Sequence, residues 1–132
     1  MLWLKYEIPP GIIREVDPSQ TFQRQLNEQS LTLEVCDLQD GDARAAYKNV
    51  QFDVRTYKKL KMFVHAEAVE NAATVLNNDD LTLFVRLGTD FTDNYYEYEI
   101  PLKQTAWGST LDTDIWPEEN NIEIVFEDLL QL

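Results

Sequence analysis

Residues 81–102 read Leu81-Thr-Leu-Phe-Val-Arg-Leu87, Gly88-Thr-Asp-Phe-Thr-Asp-Asn94, Tyr95-Tyr-Glu-Tyr-Glu-Ile-Pro-Leu102. The first run is a strand. Phe84 and Val85 make it nearly continuous, as in a strand covered on both faces. The middle run carries Gly, Asp and Asn, the residues of a loop. The last run is a second strand, and Pro101 near its end marks an edge or a bulge. Working outward, the same period of two recurs. Leu60, Met62 and Val64 alternate with Lys61, Phe63 and His65. Val50, Phe52 and Val54 alternate with Gln51, Asp53 and Arg55, and Leu31, Leu33 and Val35 with Thr32, Glu34 and Cys36. Ile122, Ile124 and Phe126 alternate with Glu123, Val125 and Glu127, and residues 43–47 read as one more short strand. Turn signals separate these runs at Asp37-Leu-Gln-Asp-Gly-Asp42 and Asn77-Asn-Asp-Asp80. Residues 67–73 read as one helical turn or a bulged loop, and 105–117 as irregular. The first 30 residues are the least periodic, broken at Pro9-Pro-Gly11 and Asp17-Pro-Ser19, with a polar connection at 21–30. Seven or eight strands so spaced predict an all-β chain, an antiparallel β-sandwich with a jelly roll as the preferred form. The strand order is not legible.

Length and composition bound the rest. The 132 residues, 44% apolar and 11% aromatic, predict a single domain over 1–132 with one core. No apolar run reaches the roughly 18 residues of a spanning helix. The opening Met1-Leu-Trp-Leu-Lys-Tyr-Glu7 lacks the pattern of a signal peptide. One cysteine, Cys36, excludes an internal disulfide and a multi-cysteine zinc site. The charge is uneven. Residues 1–66 hold nine acidic and nine basic side chains; residues 67–132 hold fifteen acidic ones and two basic ones, Arg86 and Lys103. The net charge of −13 therefore sits in the second half. Such a surface repels phosphate backbones and anionic lipid, so no nucleic-acid partner is expected. It keeps a domain soluble, and it attracts basic partners or divalent cations.

Catalysis finds little support. The single histidine, His65, lies on a strand, and no Gly-x-Ser-x-Gly turn presents a nucleophile. Cys36 reads as a small buried hydrophobe rather than half of a thiol pair. Four glycines, none in a phosphate-cradling loop, disfavour nucleotide chemistry. A glycosidase needs two carboxylates across a cleft, and spacing in a sandwich cannot show that. No cofactor is expected, apart from a calcium ion that the crowded Asp37, Asp40 and Asp42 could hold. Asp90 and Asp93 flank Asn94 in a second acidic loop, and neither loop has the EF-hand spacing. Asp-rich turns also arise because Asp bonds its own backbone. Tyr95, Tyr96 and Tyr98 precede Trp107 and Trp116. Exposed, Tyr96, Tyr98, Trp107 and Trp116 would form a stacking platform for carbohydrate; buried, they are core with a polar tip.

Three long stretches resemble the SprA proteins, also called Sov. They are Asn27-Glu-Gln-Ser-Leu-Thr-Leu-Glu-Val-Cys-Asp-Leu-Gln-Asp-Gly-Asp-Ala-Arg-Ala-Ala-Tyr-Lys-Asn49, Asp53-Val-Arg-Thr-Tyr-Lys-Lys-Leu-Lys-Met-Phe-Val-His-Ala-Glu67 and residues 84–102. The resemblance runs from about Pro10 to Phe126 and rests on ungapped stretches, not on a short motif. It implies a piece of a very large outer-membrane protein of Bacteroidetes, needed for type IX protein secretion and, in gliding species, for motility. On this resemblance the parent would form a huge transmembrane β-barrel, as SprA-type proteins do. This piece lacks the aromatic girdles of a barrel and would be an extra-barrel domain at the outer membrane or cell surface. Residues 60–66, 81–88 and 95–102 are also similar to galactose-binding-like jelly rolls, a likeness that carries no shared ligand.

Two readings compete. The first is a non-enzymatic scaffold or docking domain of a secretion and motility complex, with protein partners met by an acidic surface of Asp79, Asp80, Glu118 and Glu119. The second is a carbohydrate-binding module with a structural calcium.

Overall fold

The computed structural model describes residues 7–19, 21–22, 30–51 and 53–132. The expected polar connection at 21–30 falls mostly outside the described residues, as does Phe52 of the expected 50–54 strand. The chain divides into two compact units, Ile12–Phe52 on one side and Met1–Gly11 with Asp53–Leu132 on the other.

The unit Ile12–Phe52 overturns several expected strands. Every described residue from 30 to 51 is exposed, and none of 30–51 lies in a strand. Leu31, Leu33 and Val35 do alternate, but they are 82%, 52% and 41% exposed. Alternation decides which face a strand would bury; the strand itself needs a hydrogen-bonded neighbour. Local structure among the described residues here consists of turns and a single bridge residue, Val16. Gly41 takes a positive φ of 84°, and the Asp42 N–H donates to the Gln39 carbonyl at 3.0 Å. Asp17 accepts from the Ser19 N–H and hydroxyl at 2.9 and 2.6 Å, which closes the turn at Pro18 and holds its carboxyl below the usual range. Cys36, expected to be buried, is exposed.

The second unit begins with a 3-10 turn, Val54–Thr56, capped by the Asp53 carboxylate on the Arg55 N–H at 3.0 Å. Strand β1 (Lys59–Met62) follows, then β2 (Thr82–Gly88) and β3 (Tyr95–Pro101). A single-turn helix α1 (Asp112–Ile115), a 3-10 turn (Glu118–Asn120), strand β4 (Ile122–Val125) and helix α2 (Phe126–Leu130) complete it. β2 pairs antiparallel with β3, and β1 with β4, as two separate two-stranded sheets. The seven-to-eight-strand jelly-roll sandwich, galactose-binding-like or otherwise, is therefore incorrect: the described residues hold four strands. Among the described residues each strand has a single partner, and a two-stranded sheet is too narrow to form a sandwich layer.

The β1–β4 pairing sets Leu60 opposite Ile124 and Met62 opposite Ile122. Ile122 and Ile124 are 1% and 4% exposed, and with Leu102 and Phe126 they form the buried apolar core of the described residues. Each such side chain contributes about 1.5–3 kcal/mol. The other face of this pair carries ions. Glu123 accepts from Lys59 at 2.9 Å and from Lys61 at 3.3 Å, and the two ammonium groups hold its carboxyl below the usual range. The last predicted strand thus forms, but it ends at Val125; Phe126 opens α2 instead of continuing the alternation.

Candidate functional site

The β2–β3 hairpin is the longest strand pair among the described residues and carries Glu97 and Glu99. Its register puts Leu83 opposite Ile100, Val85 opposite Tyr98 and Leu87 opposite Tyr96, all on one face. Phe84 opposite Glu99, Arg86 opposite Glu97 and Gly88 opposite Tyr95 share the other. The first face is mostly half-buried, with Tyr96 41% exposed. On the second, the Arg86 guanidinium lies over the Phe84 ring at 5.0 Å and the Tyr95 ring at 4.3 Å. It pairs with Glu97 and donates to the Phe91 carbonyl at 2.8 Å. Glu97 accordingly holds Arg86 protonated beyond its ordinary range.

The loop closing this hairpin is organised by one carboxylate. Asp90 Oδ1 accepts from the backbone N–H of Thr92, Asp93 and Asn94 at 2.9, 2.7 and 3.0 Å, and its Oδ2 accepts from the Asn94 side chain at 2.6 Å. Those bonds stabilise the anion and pull the Asp90 carboxyl far below the usual range. Gly88 is required at the hairpin mouth. A Cβ there would lie 2.7 Å from Tyr95 Cβ and closer still to the Asn94 carbonyl oxygen.

A polar knot ties the hairpin's exit to the rest of the unit. Asn120, fully buried, accepts from the Lys103 N–H at 2.7 Å and donates to the carbonyls of Lys103 and Val64 at 2.8 and 3.3 Å. Thr105, 5% exposed, is linked to Ala66 by its N–H, which donates to the Ala66 carbonyl at 2.7 Å. Its hydroxyl donates to the Asp114 carbonyl at 2.7 Å. His65 Nδ1 sits 2.7 Å from the Ile115 carbonyl, and its Nε2 3.2 Å from Glu67. His65, expected on a strand, lies just beyond the end of β1, and the Thr105 hydroxyl stands 3.4 Å from its Nδ1.

The residues proposed from sequence are not gathered into one place by these contacts. Trp107, 40% exposed, donates its indole N–H to the Ala68 carbonyl at 2.7 Å. Trp116 is half-buried, donates to the Glu7 carbonyl at 2.8 Å and meets Phe63 and His65 edge-on at 6.4 and 5.9 Å. Tyr96 and Tyr98 share the apolar face of β3. Of the acidic set, Asp79 has a positive φ of 69° and binds Lys103 at 2.8 and 2.7 Å. Asp80 accepts from the Asn77 N–H at 2.8 Å and from its side chain at 3.1 Å. Glu118 and Glu119 are exposed on their 3-10 turn. Asp37, Asp40 and Asp42 are exposed, and no group of three or more His, Cys, Asp or Glu among the described residues is placed to hold a metal ion.

Sequence reasoning passed over Asn120, Thr105 and the Glu97–Glu99 pair. Nothing local marks the first two, because their partners lie on distant segments. The glutamates were legible: on β3 they alternate with Tyr96, Tyr98 and Ile100. What pairing adds is that both cations of residues 67–132 are already engaged, Arg86 with Glu97 and Lys103 with Asp79.

Comparison with protein families matches the chain to the family SprA_N, described as motility related/secretion protein, over residues 3–132. No curated protein matches.

Proposed function

We propose a non-catalytic docking role, from the premise that the chain belongs to the SprA_N family, motility related/secretion protein. In this reading the chain is a scaffold or interaction domain of an outer-membrane translocon for type IX secretion and gliding motility. Its partners are basic surfaces of cargo or accessory subunits. The observation that supports it is the charge arrangement. Residues 67–132 hold fifteen acidic and two basic side chains, and both basic ones are spent on ion pairs within the unit. Cations that neutralise exposed Glu99, Glu118 and Glu119 must come largely from elsewhere. Asp79, by contrast, is paired with Lys103, and Asp80 serves its own turn. No helix among the described residues is long and apolar enough to cross a membrane.

The test uses the full-length protein in a secreting, gliding cell. Glu118→Gln with Glu119→Gln is expected to lower cargo release and colony spreading, with the protein's own level in the envelope unchanged. The association rate with the partner so lost should fall as salt rises, because steering over an exposed surface is screened within about 8–10 Å. Normal secretion and spreading by the double variant would refute the role of this surface.

A further inference from the structure

β3 is an open edge with a distinctive pattern of side chains. The Leu102 N–H donates to the Leu81 carbonyl and the Thr89 N–H to the Asn94 carbonyl, at 2.9 and 3.0 Å. Both pairs keep the hairpin register, so the ladder bonds alternate from them. Residues 96, 98 and 100 turn their backbone groups inward to β2. Tyr95, Glu97, Glu99 and Pro101 turn theirs outward. Pro101 confirms the phase, since its missing N–H is tolerated only on the outer side. No other strand adjoins β3 among the described residues. Edge strands in this state are templates for another strand unless charge or proline guards them. Here the guard is two glutamates, and only Glu97 has a cation, Arg86.

We propose that the outer edge of β3 receives an extended partner segment in which basic and apolar residues alternate. Its backbone pairs with the outward groups of Tyr95, Glu97 and Glu99. Its apolar side chains extend the face of Tyr96, Tyr98 and Ile100, of which Tyr96 is 41% exposed. Its lysines or arginines fall on the opposite face, beside Glu97 and Glu99. Backbone pairing gives affinity and the alternating side chains give specificity, as in other strand-addition complexes. Charge complementarity selects this occupant: an acidic or neutral strand would meet uncompensated Glu99, whereas a basic one relieves it. The partner edge is β3 and not β2, because the cation on β2, Arg86, is held between two rings and a carboxylate. This inference rests on the docking role and specifies the chemistry of the docked partner.

The probe is a synthetic peptide of alternating Lys and Val, fluorescently labelled and titrated into the 132-residue chain. Comparison peptides are a scrambled one, one with Glu for Lys, and one N-methylated at alternate residues so that charge is kept and one ladder edge is lost. Binding is read by anisotropy, and the site by amide hydrogen exchange. The alternating peptide is expected to bind and to protect the amides of Tyr95, Glu97 and Glu99. Glu99→Lys should weaken it roughly tenfold, the size of one reversed cross-strand charge pair; Glu99→Gln, which keeps the shape of the side chain, should weaken it less. Equal binding by the scrambled or N-methylated peptide would overturn strand addition in favour of charge alone. Absence of binding, or protection elsewhere, would overturn it as well. Either failure leaves the cell-based test of Glu118 and Glu119 standing, so the two readings fall separately.

Discussion

Asn120→Ala is expected to be the most damaging single polar substitution in the unit Met1–Gly11 with Asp53–Leu132. Asn120 is fully buried and makes three hydrogen bonds, to the Lys103 N–H, the Lys103 carbonyl and the Val64 carbonyl. Truncation leaves those backbone groups without a partner. Each buried unpaired group costs about 1–3 kcal/mol. A water entering the vacated space would recover part of it. The net loss is therefore about 3–4 kcal/mol, against a typical domain stability of about 5–15 kcal/mol. Urea unfolding followed by tryptophan emission reads this directly. With a slope of about 1–3 kcal/mol/M, the midpoint should fall by about 1–4 M. Asn120→Leu separates the causes: it fills the space and leaves the same groups unpaired, so it should not rescue. Asn121→Ala, at an exposed neighbour, should stay within about 0.5 kcal/mol. A loss below about 1 kcal/mol for Asn120→Ala, or rescue by leucine, would refute the hydrogen-bond account of the knot.

Other outcomes follow from the same contacts. Gly88→Ala places a Cβ against the backbone at Asn94 and Tyr95, so amide exchange across β2 and β3 should accelerate while β1 and β4 change little. Asp90 has a depressed folded-state pKa, so its stabilisation is present above the unfolded carboxylate range and is lost as pH falls through the folded value. The Thr92, Asp93 and Asn94 amide resonances should therefore hold through mild acid and move only in strong acid; Asp90→Asn should abolish that movement, and a midpoint near the ordinary range of about 3.9 would contradict the loop geometry. Calcium should leave the urea midpoint unchanged, because Asp37, Asp40 and Asp42 do not form a ligand group. A saturable rise with calcium, absent in Asp40→Asn, would show a site.

Much of the hairpin was readable before any coordinates. Residues 81–102 announced two strands and a loop, because both periodicity and turn chemistry are local. Pro101 announced an edge or a bulge, and only the pairing with β2 showed which. Ile122 and Ile124 were placed on one face correctly, yet the strand was carried one residue too far, into Phe126. The alternation at 31–35 misled entirely. Its residues have the right spacing, but a strand exists only where another backbone comes alongside, and spacing cannot supply that neighbour.

The sequence by itself determined the acid-rich second half, the family to which the chain belongs, and the hairpin with its turn. Those properties are sums over residues or effects within a few positions. The tertiary structure alone decided that Arg86 and Lys103 are consumed by Glu97 and Asp79, that Asn120 is the buried joint, and that no strand among the described residues pairs with the outer edge of β3. Each of these depends on which distant backbone lies beside which, and the free energy of such pairing is shared between partners that no single stretch of chain contains.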